Sequence, residues 1–246
     1  MLRQARDERT LKENLLLASS TAFVSGTVNV AGAIVLLAFT TNITGHVANL
    51  AGHIIEQNFG DFLVVLAWLM SFLVGAFISS FLIRSLSHRS HYYAHAMPVV
   101  LEIVVLLFVA IYGSNFYSGI KPERELLTGV ILFSMGLQNS MVSTLSGGLI
   151  KSSHLTGLFT DLGGDIAEWL HPASEQKEAT RNKIFIRFTI LFFYFLGGLT
   201  GAYFFDRYAF VIFYFIPLIL LLILYYDLAP FALHRLMRIF MVRDKN

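Results

Sequence analysis

The chain has no cysteine and little charge. Of its 246 residues, 14% are Asp, Glu, Lys or Arg and 56% are hydrophobic, whereas a soluble domain carries about 25% charged residues. Without cysteine there is neither a disulfide nor a thiolate metal site. This composition argues against an ordinary soluble domain and favours a membrane protein.

The few charged residues are clustered, and long charge-free stretches separate the clusters. A bilayer core about 30 Å thick requires roughly 20 apolar residues per helix. The sequence therefore predicts an all-α membrane protein in which residues 1–246 form a single integral membrane domain. We predict six transmembrane helices, over residues 15–41, 62–83, 97–113, 126–150, 186–205 and 208–227.

The placement of Lys and Arg predicts the orientation. If the N-terminus lies in the cytoplasm, the cytoplasmic segments hold 15 of these residues and the outside loops hold 3, as the positive-inside rule requires. Both termini are therefore expected in the cytoplasm, with the lipid bilayer as the main partner. Because the basic residues sit at membrane edges, we expect no nucleic-acid binding.

A twelve-residue motif occurs twice. Residues 43–54 read ITGHVANLAGHI and residues 155–166 read LTGLFTDLGGDI, with five identical positions. Upstream, the pattern Gly-x-x-Asn that ends at Asn29 recurs at Asn139. The motif divides the spans into three plus three, so we predict inverted repeats over about 14–113 and 125–228.

The Thr-Gly pairs are the best candidates for solute binding. Inverted repeats place the first pair toward the outside and the second toward the cytoplasm, in short or broken helices. Residues four and eight positions after each glycine then share its face, and a helix N-terminus there could bind an anion. The alternative is a tight turn with an N-cap and solvated polar residues. The candidates in these segments are Thr44, Gly45, Asn49, Thr156 and Gly157.

Three amides lie inside apolar spans: Asn29, Asn139 and, beside it, Gln138. Amides in hydrocarbon require partners, so these should face the interior of the bundle. The two asparagines are expected to pair near the pseudo-two-fold axis, close to the membrane midplane. They either contact the solute or make hydrogen bonds between helices without a ligand role.

Five ionisable residues are candidates for proton or ion coupling: His46, His53, Glu102, Asp161 and Asp165. Asp161 and Asp165 are one helical turn apart, so a buried pair would have to share a proton or a cation; otherwise both face the cytoplasm. Glu102 lies inside the third span, where a carboxylate is a functional candidate. Alternatively, it reaches the interface and pairs with Arg84, Arg89 or a histidine.

The connection after the second motif, about residues 167–185, is long and polar. It contains Pro172 and a helix-start pattern at Ser174, Lys177 and Glu178. We predict a short surface helix there, serving as a linker.

Three segments together resemble the YoaK family: TTNITGHVANLAG, GLQNS and SSHLTGLFTDLGGD. The likeness extends over nearly the whole chain. It implies a bacterial inner-membrane protein with six spans and a domain of unknown function. It implies no established substrate or activity.

These patterns favour a small transporter or facilitator of an unidentified solute, working by alternating access between the two halves. The alternatives are a channel and a non-transporting scaffold or stress-response partner. No nucleophile–base set, phosphate loop or redox signature occurs in the sequence, so we expect no enzyme, cofactor or metal. Six short spans offer limited interface, which leaves a homodimer open.

Overall fold

The computed structural model describes Leu2 and residues 9–226. This part of the chain is helical and contains no strand. After α7, a 3₁₀ turn at Ala209–Val211 leads into a further helix over 212–226. The helices are α1 (Leu11–Leu36), α2 (Ile43–Ile55), α3 (Phe59–Leu86), α4 (His91–Asn115), α5 (Lys121–Ser146), α6 (Leu155–Leu170) and α7 (Lys177–Tyr208).

Five helical stretches in the described residues are long and apolar enough to cross a membrane, which is the pattern of a multi-pass membrane protein. Four of them are α1, α3, α4 and α5. The fifth, Lys177–Tyr226, has 50 residues and would measure about 75 Å as one helix, more than twice the hydrocarbon thickness. It is broken at Ala209, where φ is 49° and ψ is −130°.

Two of the helices end earlier than hydropathy predicts. α1 ends at Leu36 rather than near 41, and α5 ends at Ser146 rather than near 150. In each case the next residue, Leu37 or Gly147, has a left-handed backbone with φ of 58° or 63°, which terminates a helix. The apolar sequence continues past this turn into the loop, so hydropathy alone misplaces the ends.

The most extensive helix packing joins α1 to α7. A Cβ atom at Gly26 would overlap the backbone of Tyr194 and Gly198, and one at Gly197 would overlap the carbonyl of Phe23. Small residues at these points let the two backbones approach closely, as is common between membrane helices. The contacts advance in the same direction along both helices, so α1 and α7 run parallel.

The same packing occurs between α5 and α3. A Cβ at Gly136 would overlap the backbone of Phe72 and Ala76, and one at Gly75 would overlap the carbonyl of Phe133. The α5 residues that make these contacts follow the equivalent residues of α1 by 110 positions in the sequence, as Gly136 follows Gly26. The α7 residues that make these contacts follow the equivalent residues of α3 by 122 positions, as Gly197 follows Gly75.

The short helices α2 and α6 lie at opposite ends of the bundle. At the α2 end, α5 begins beside the start of α3, since Lys121 pairs with Asp61. α1 ends at the same level, because the hydroxyl of Tyr117, in the loop before α5, donates to the Val35 carbonyl at 3.1 Å. α5 then runs to the other end, where α6 follows it. α2 packs along α3, and α6 along α7.

The prediction of a separate surface helix over 167–185 is wrong. α6 continues to Leu170, residues 171–176 are not helical, and the pattern at Lys177 begins α7 itself. The helix-start pattern marks the beginning of the long helix α7, not of a separate short helix.

Candidate functional site

Both Thr-Gly pairs lie in the first turn of their own short helix. Gly45 is the third residue of α2, and Gly157 is the third residue of α6. The N-cap of α2 is Asn42, whose side chain accepts a hydrogen bond from the Gly45 N–H at 3.0 Å. Thr44 and Thr156 are exposed, and neither caps its helix.

Asn29 fixes the loop that leads into α2. Its side-chain oxygen accepts from the Thr41 backbone N–H at 3.0 Å, and its amide nitrogen donates to the Tyr194 hydroxyl at 2.8 Å. The Thr40 hydroxyl donates to the Val28 carbonyl at 3.3 Å. These bonds seat the loop between α1 and α7 and so set where α2 begins.

Asn139 does the same before α6. Its oxygen accepts from the hydroxyls of Ser152 and Ser153 at 3.1 and 2.9 Å, and its nitrogen donates to the Met135 carbonyl at 2.9 Å. Thr40-Thr41 and Ser152-Ser153 stand immediately before the two motifs in sequence. That repeated hydroxyl pair is the signal that would have identified these partners.

The expected pairing of Asn29 with Asn139 is not found. Each asparagine lies seven residues before the last residue of its helix, or about 10 Å from that end. The two helices finish at opposite ends of the bundle, so the amides lie at different levels. Gln138 instead joins α5 to α1 by donating to the Thr21 carbonyl at 2.8 Å.

A polar pocket at the α2 end has a volume of about 490 Å³. Gly45, Asn49 and His53 all line it, as their spacing of four residues predicted. The facing wall comes from the starts of α3 and α5, which sequence analysis did not single out. Its polar residues are Asp61, Trp68, Lys121 and Glu125.

Charge in this α2 pocket is concentrated on one lysine between two carboxylates. The Lys121 Nζ atom lies 2.6 Å from an Asp61 oxygen and 3.6 Å from a Glu125 oxygen. Trp68 is held beside them because its indole N–H donates to the Glu125 carbonyl at 2.8 Å. With neutral histidines, the wall carries one more negative than positive charge.

His46, on α2, is buried and also lines this pocket. Its Nε2 atom lies 2.7 Å from the Phe39 carbonyl oxygen, which can only accept, so Nε2 carries the proton. Its ring meets Trp68 edge-on with centroids 5.3 Å apart. Burial lowers the pKa of His46, an effect that the Phe39 bond partly opposes, so the imidazole is neutral at pH 7.

A second pocket, of about 300 Å³, lies at the α6 end. It is lined by Asn139, Ser143, Lys151, His154 and Gly157. Gly157 and His154 occupy the positions of Gly45 and Asn42 in the other motif. His154 is exposed, but partial desolvation by neighbouring groups, together with the Lys151 charge, lowers its pKa, so Lys151 is the cation of this α6 pocket.

Asp161 and Asp165 share a cation supplied by the protein. Arg187 forms an ion pair with Asp165 and lies 3.4 Å from an Asp161 oxygen. It also donates to the Asp161 carbonyl at 3.1 Å, and Lys151 lies 3.9 Å from Asp161. Arg187 and Asp165 are nearly buried, so their attraction is little screened by water.

Glu102 is fully buried near the middle of α4. Neither carboxylate oxygen has a hydrogen-bond partner among the described residues. The interfacial pairing with Arg84 or Arg89 is therefore absent. A carboxyl in such surroundings is stable only when protonated.

A helical bundle with several apolar spans and polar pockets at both ends defines a multi-pass membrane protein. Residues 17–226 match the family described as a protein of unknown function (DUF1275), and the chain belongs to this family. No curated protein and no solved structure matches the chain.

Proposed function

We propose that the chain is a small transporter or facilitator whose two halves are inverted repeats that work by alternating access. One observation carries this proposal: each Thr-Gly helix begins beside a polar pocket, and the two pockets lie at opposite ends of the bundle. Two related halves, each opening to its own side of the membrane, would place equivalent pockets on both faces.

Six spans accompany this proposal. We infer that the long apolar stretch Lys177–Tyr226 crosses twice, as α7 and as the helix over 212–226, and the backbone break at Ala209 supports this. Three spans in each half reverse the direction of the second half. That reversal agrees with the parallel packing of α1 on α7 and of α5 on α3, and with the positions of α2 and α6 at opposite ends.

The proposal extends to location. Membership of the YoaK group within the family would place the chain in a bacterial inner membrane. Most Lys and Arg would then lie at the α6 end, which includes Lys151, Lys177 and Arg181, in the cytoplasm with both termini. The α2 pocket would open outward.

The packed interior favours a carrier over a channel. Between the two pockets, α1 and α5 contribute fully buried apolar residues, among them Val24, Val28, Ile131 and Met135. Gln138 crosses from α5 to α1 through this region. A solute could therefore pass only after the halves move relative to one another.

The solute site belongs in the α2 pocket rather than at a central asparagine pair. Asn49 and His53 point into that pocket beside Trp68, whereas Asn29 and Asn139 have their hydrogen bonds satisfied by the protein. Glu102 supplies a candidate for proton coupling, because a buried carboxyl without partners changes charge when water reaches it.

A scaffold without transport is the second candidate, and the satisfied asparagines are the observation in its favour. Polar residues that only hold helices together require no solute. A scaffold predicts that function survives an Asn29→Ala, Asn139→Ala double variant that still inserts.

Uptake by proteoliposomes tests the transport proposal with a panel of labelled amines, amino acids and sugars. Gly157→Leu should abolish uptake of the transported compound, because it places a large side chain in the α6 pocket. A Cβ at Gly157 meets nothing within 4 Å, so the fold should tolerate the change. Gly164→Leu on the same helix, equally open, is the matched control.

Uptake that depends on the protein, survives Gly164→Leu and disappears in Gly157→Leu supports the proposal. Equal uptake by both variants would overturn the role of the α6 pocket in the transport pathway. A complete absence of protein-dependent uptake across the panel would favour the scaffold.

A further inference from the structure

An apolar groove adjoins the α2 pocket on the outside of the bundle. Its volume is about 700 Å³, and α3 and α5 form most of its lining, with Val105 contributed by α4. The lining is almost entirely apolar and includes Met70, Val74 and Phe133. Met70 and Val74 are 45% and 46% exposed, as expected of side chains that face lipid.

The groove and the α2 pocket are continuous. Val64, Trp68 and Glu125 line both, so the indole of Trp68 stands at their junction. One side of this junction is polar and charged, and the other side is hydrocarbon-like. A ligand that fills both must be amphipathic.

The length of the groove matches one leaflet. It follows α3 from Val64 to Val74, ten residues or about 15 Å of helix. The hydrocarbon core is about 30 Å thick, so the groove covers the depth of one acyl layer. The charged residues at the starts of α3 and α5 then lie at the level of lipid headgroups, where tryptophan is also enriched.

The charges select the headgroup. Asp61 and Glu125 attract a cation, and Lys121 attracts an anion; the Lys121 Nζ atom lies 2.6 Å from an Asp61 oxygen and 3.6 Å from a Glu125 oxygen. The excess of one negative charge favours a headgroup that carries an ammonium as well as a phosphate. A purely anionic headgroup would meet Lys121 but also two carboxylates.

We propose that the pocket and groove together bind an aminophospholipid such as phosphatidylethanolamine, with its headgroup in the α2 pocket and an acyl chain in the groove. This inference rests on the proposed function only for the choice of pocket. On this proposal, the ligand of the α2 pocket is an amphiphile that enters from the bilayer.

Tryptophan quenching tests this lipid site. The chain has two tryptophans, and Trp169→Phe leaves Trp68 as the only reporter. The variant is reconstituted into vesicles of phosphatidylethanolamine and phosphatidylglycerol, with bromine on the acyl chains of one lipid at a time. At equal fractions, brominated phosphatidylethanolamine should quench Trp68 more strongly, with a selectivity of roughly threefold, as for an exposed ion pair.

Reversing the charge balance should reverse the preference. Asp61→Asn with Glu125→Gln leaves Lys121 as the cation of the wall, so phosphatidylglycerol should become the better quencher. Asp206→Asn, an exposed carboxylate on the last turn of α7, is the matched control and should retain the original preference.

Blocking the groove provides a second variant that leaves the charges unchanged. Ala67 lines the groove and is exposed, so Ala67→Phe should remove the selectivity without disturbing the packed core. Leu73→Phe, at an exposed position of α3 outside the groove, should not.

Quenching that simply follows the bulk lipid ratio in the Trp169→Phe protein would overturn the lipid proposal. That result would leave the transport proposal intact if the uptake panel is positive. Selective quenching without uptake of any compound in the panel would instead keep the lipid site and remove transport of these water-soluble compounds.

Discussion

Asn29 and Asn139 act at the scale of single residues, where each fixes the loop before a short helix. The sequence predicted that both would be internal and would require partners. The repeated hydroxyl pairs were a readable signal for some of these partners, but Tyr194 was not predictable, because α7 meets α1 only in the folded bundle. Asn139 has no such partner on α3, because Phe72, which meets Gly136 as Tyr194 meets Gly26, carries no hydroxyl.

Removing the Asn29 side chain should loosen α2. Asn29→Ala leaves the Thr41 N–H and the Tyr194 hydroxyl without their partner, at a cost of about 1–2 kcal/mol for polar contacts in membrane proteins. Thermal unfolding in detergent measures this loss. Tyr194→Phe should cost less, since it keeps the Thr41 bond; an equal or larger loss would contradict this account.

Arg187 should be the most sensitive charged residue. Arg187→Met leaves Asp165 buried without a cation and should cost about 3–5 kcal/mol. Adding Asp165→Asn removes the isolated charge and should recover most of the loss in a denaturant titration. If the double variant is no more stable than the single one, the ion pair is not what makes Arg187 important.

His46 should make stability depend on pH. Its pKa is lowered in the folded protein because of burial, so the unfolded chain binds the proton more readily. Stability from this residue is complete above the unfolded value of about 6.5 and falls as the pH drops through that value toward the folded pKa. Unfolding temperatures at pH 7.5 and 5.5 should differ more in the native chain than in His46→Gln. An equal difference would show that other groups cause the dependence.

At the scale of elements, the long helices were predictable and their ends were not. Charge-free runs located the apolar helices because burial in lipid requires them. Leu37 ends α1 in a left-handed conformation that leucine rarely adopts, and no sequence rule predicts it. In the second half a glycine, Gly147, serves at the same place, and the Gly147-Gly148 pair was a readable signal.

Packing of α1 on α7 should depend on Gly197. Gly197→Leu forces a side chain into the carbonyl of Phe23, and overpacking of this kind costs about 1–3 kcal/mol or more. Lower unfolding temperature and loss of monodispersity in detergent are the expected results. Gly52→Leu on α2, where a Cβ meets nothing within 4 Å, is the control, and equal damage by both would contradict the packing account.

At the scale of the whole molecule, the duplicated motif predicted two related halves, and this stays a prediction; what the structure gives is that α1 packs on α7 through the same kind of glycine contacts as α5 on α3. The pockets could not be read from one motif. Each needs side chains from distant helices, such as Lys121 and Trp68 beside α2. The Thr-Gly spacing predicted that Gly45, Asn49 and His53 share one helix face, and all three line the α2 pocket; their role in binding or coupling stays a prediction.

Cysteine labelling tests alternating access most directly. The chain contains no cysteine, and both Asn49 and Gly157 have room for one because Asn49 is exposed and a Cβ at Gly157 meets nothing within 4 Å. Single Asn49→Cys and Gly157→Cys proteins would be exposed in intact cells to a membrane-impermeant maleimide. The account predicts rapid labelling at 49 and slower, measurable labelling at 157 from outside. Labelling at 157 only after the membrane is broken would contradict a pathway that joins the two pockets.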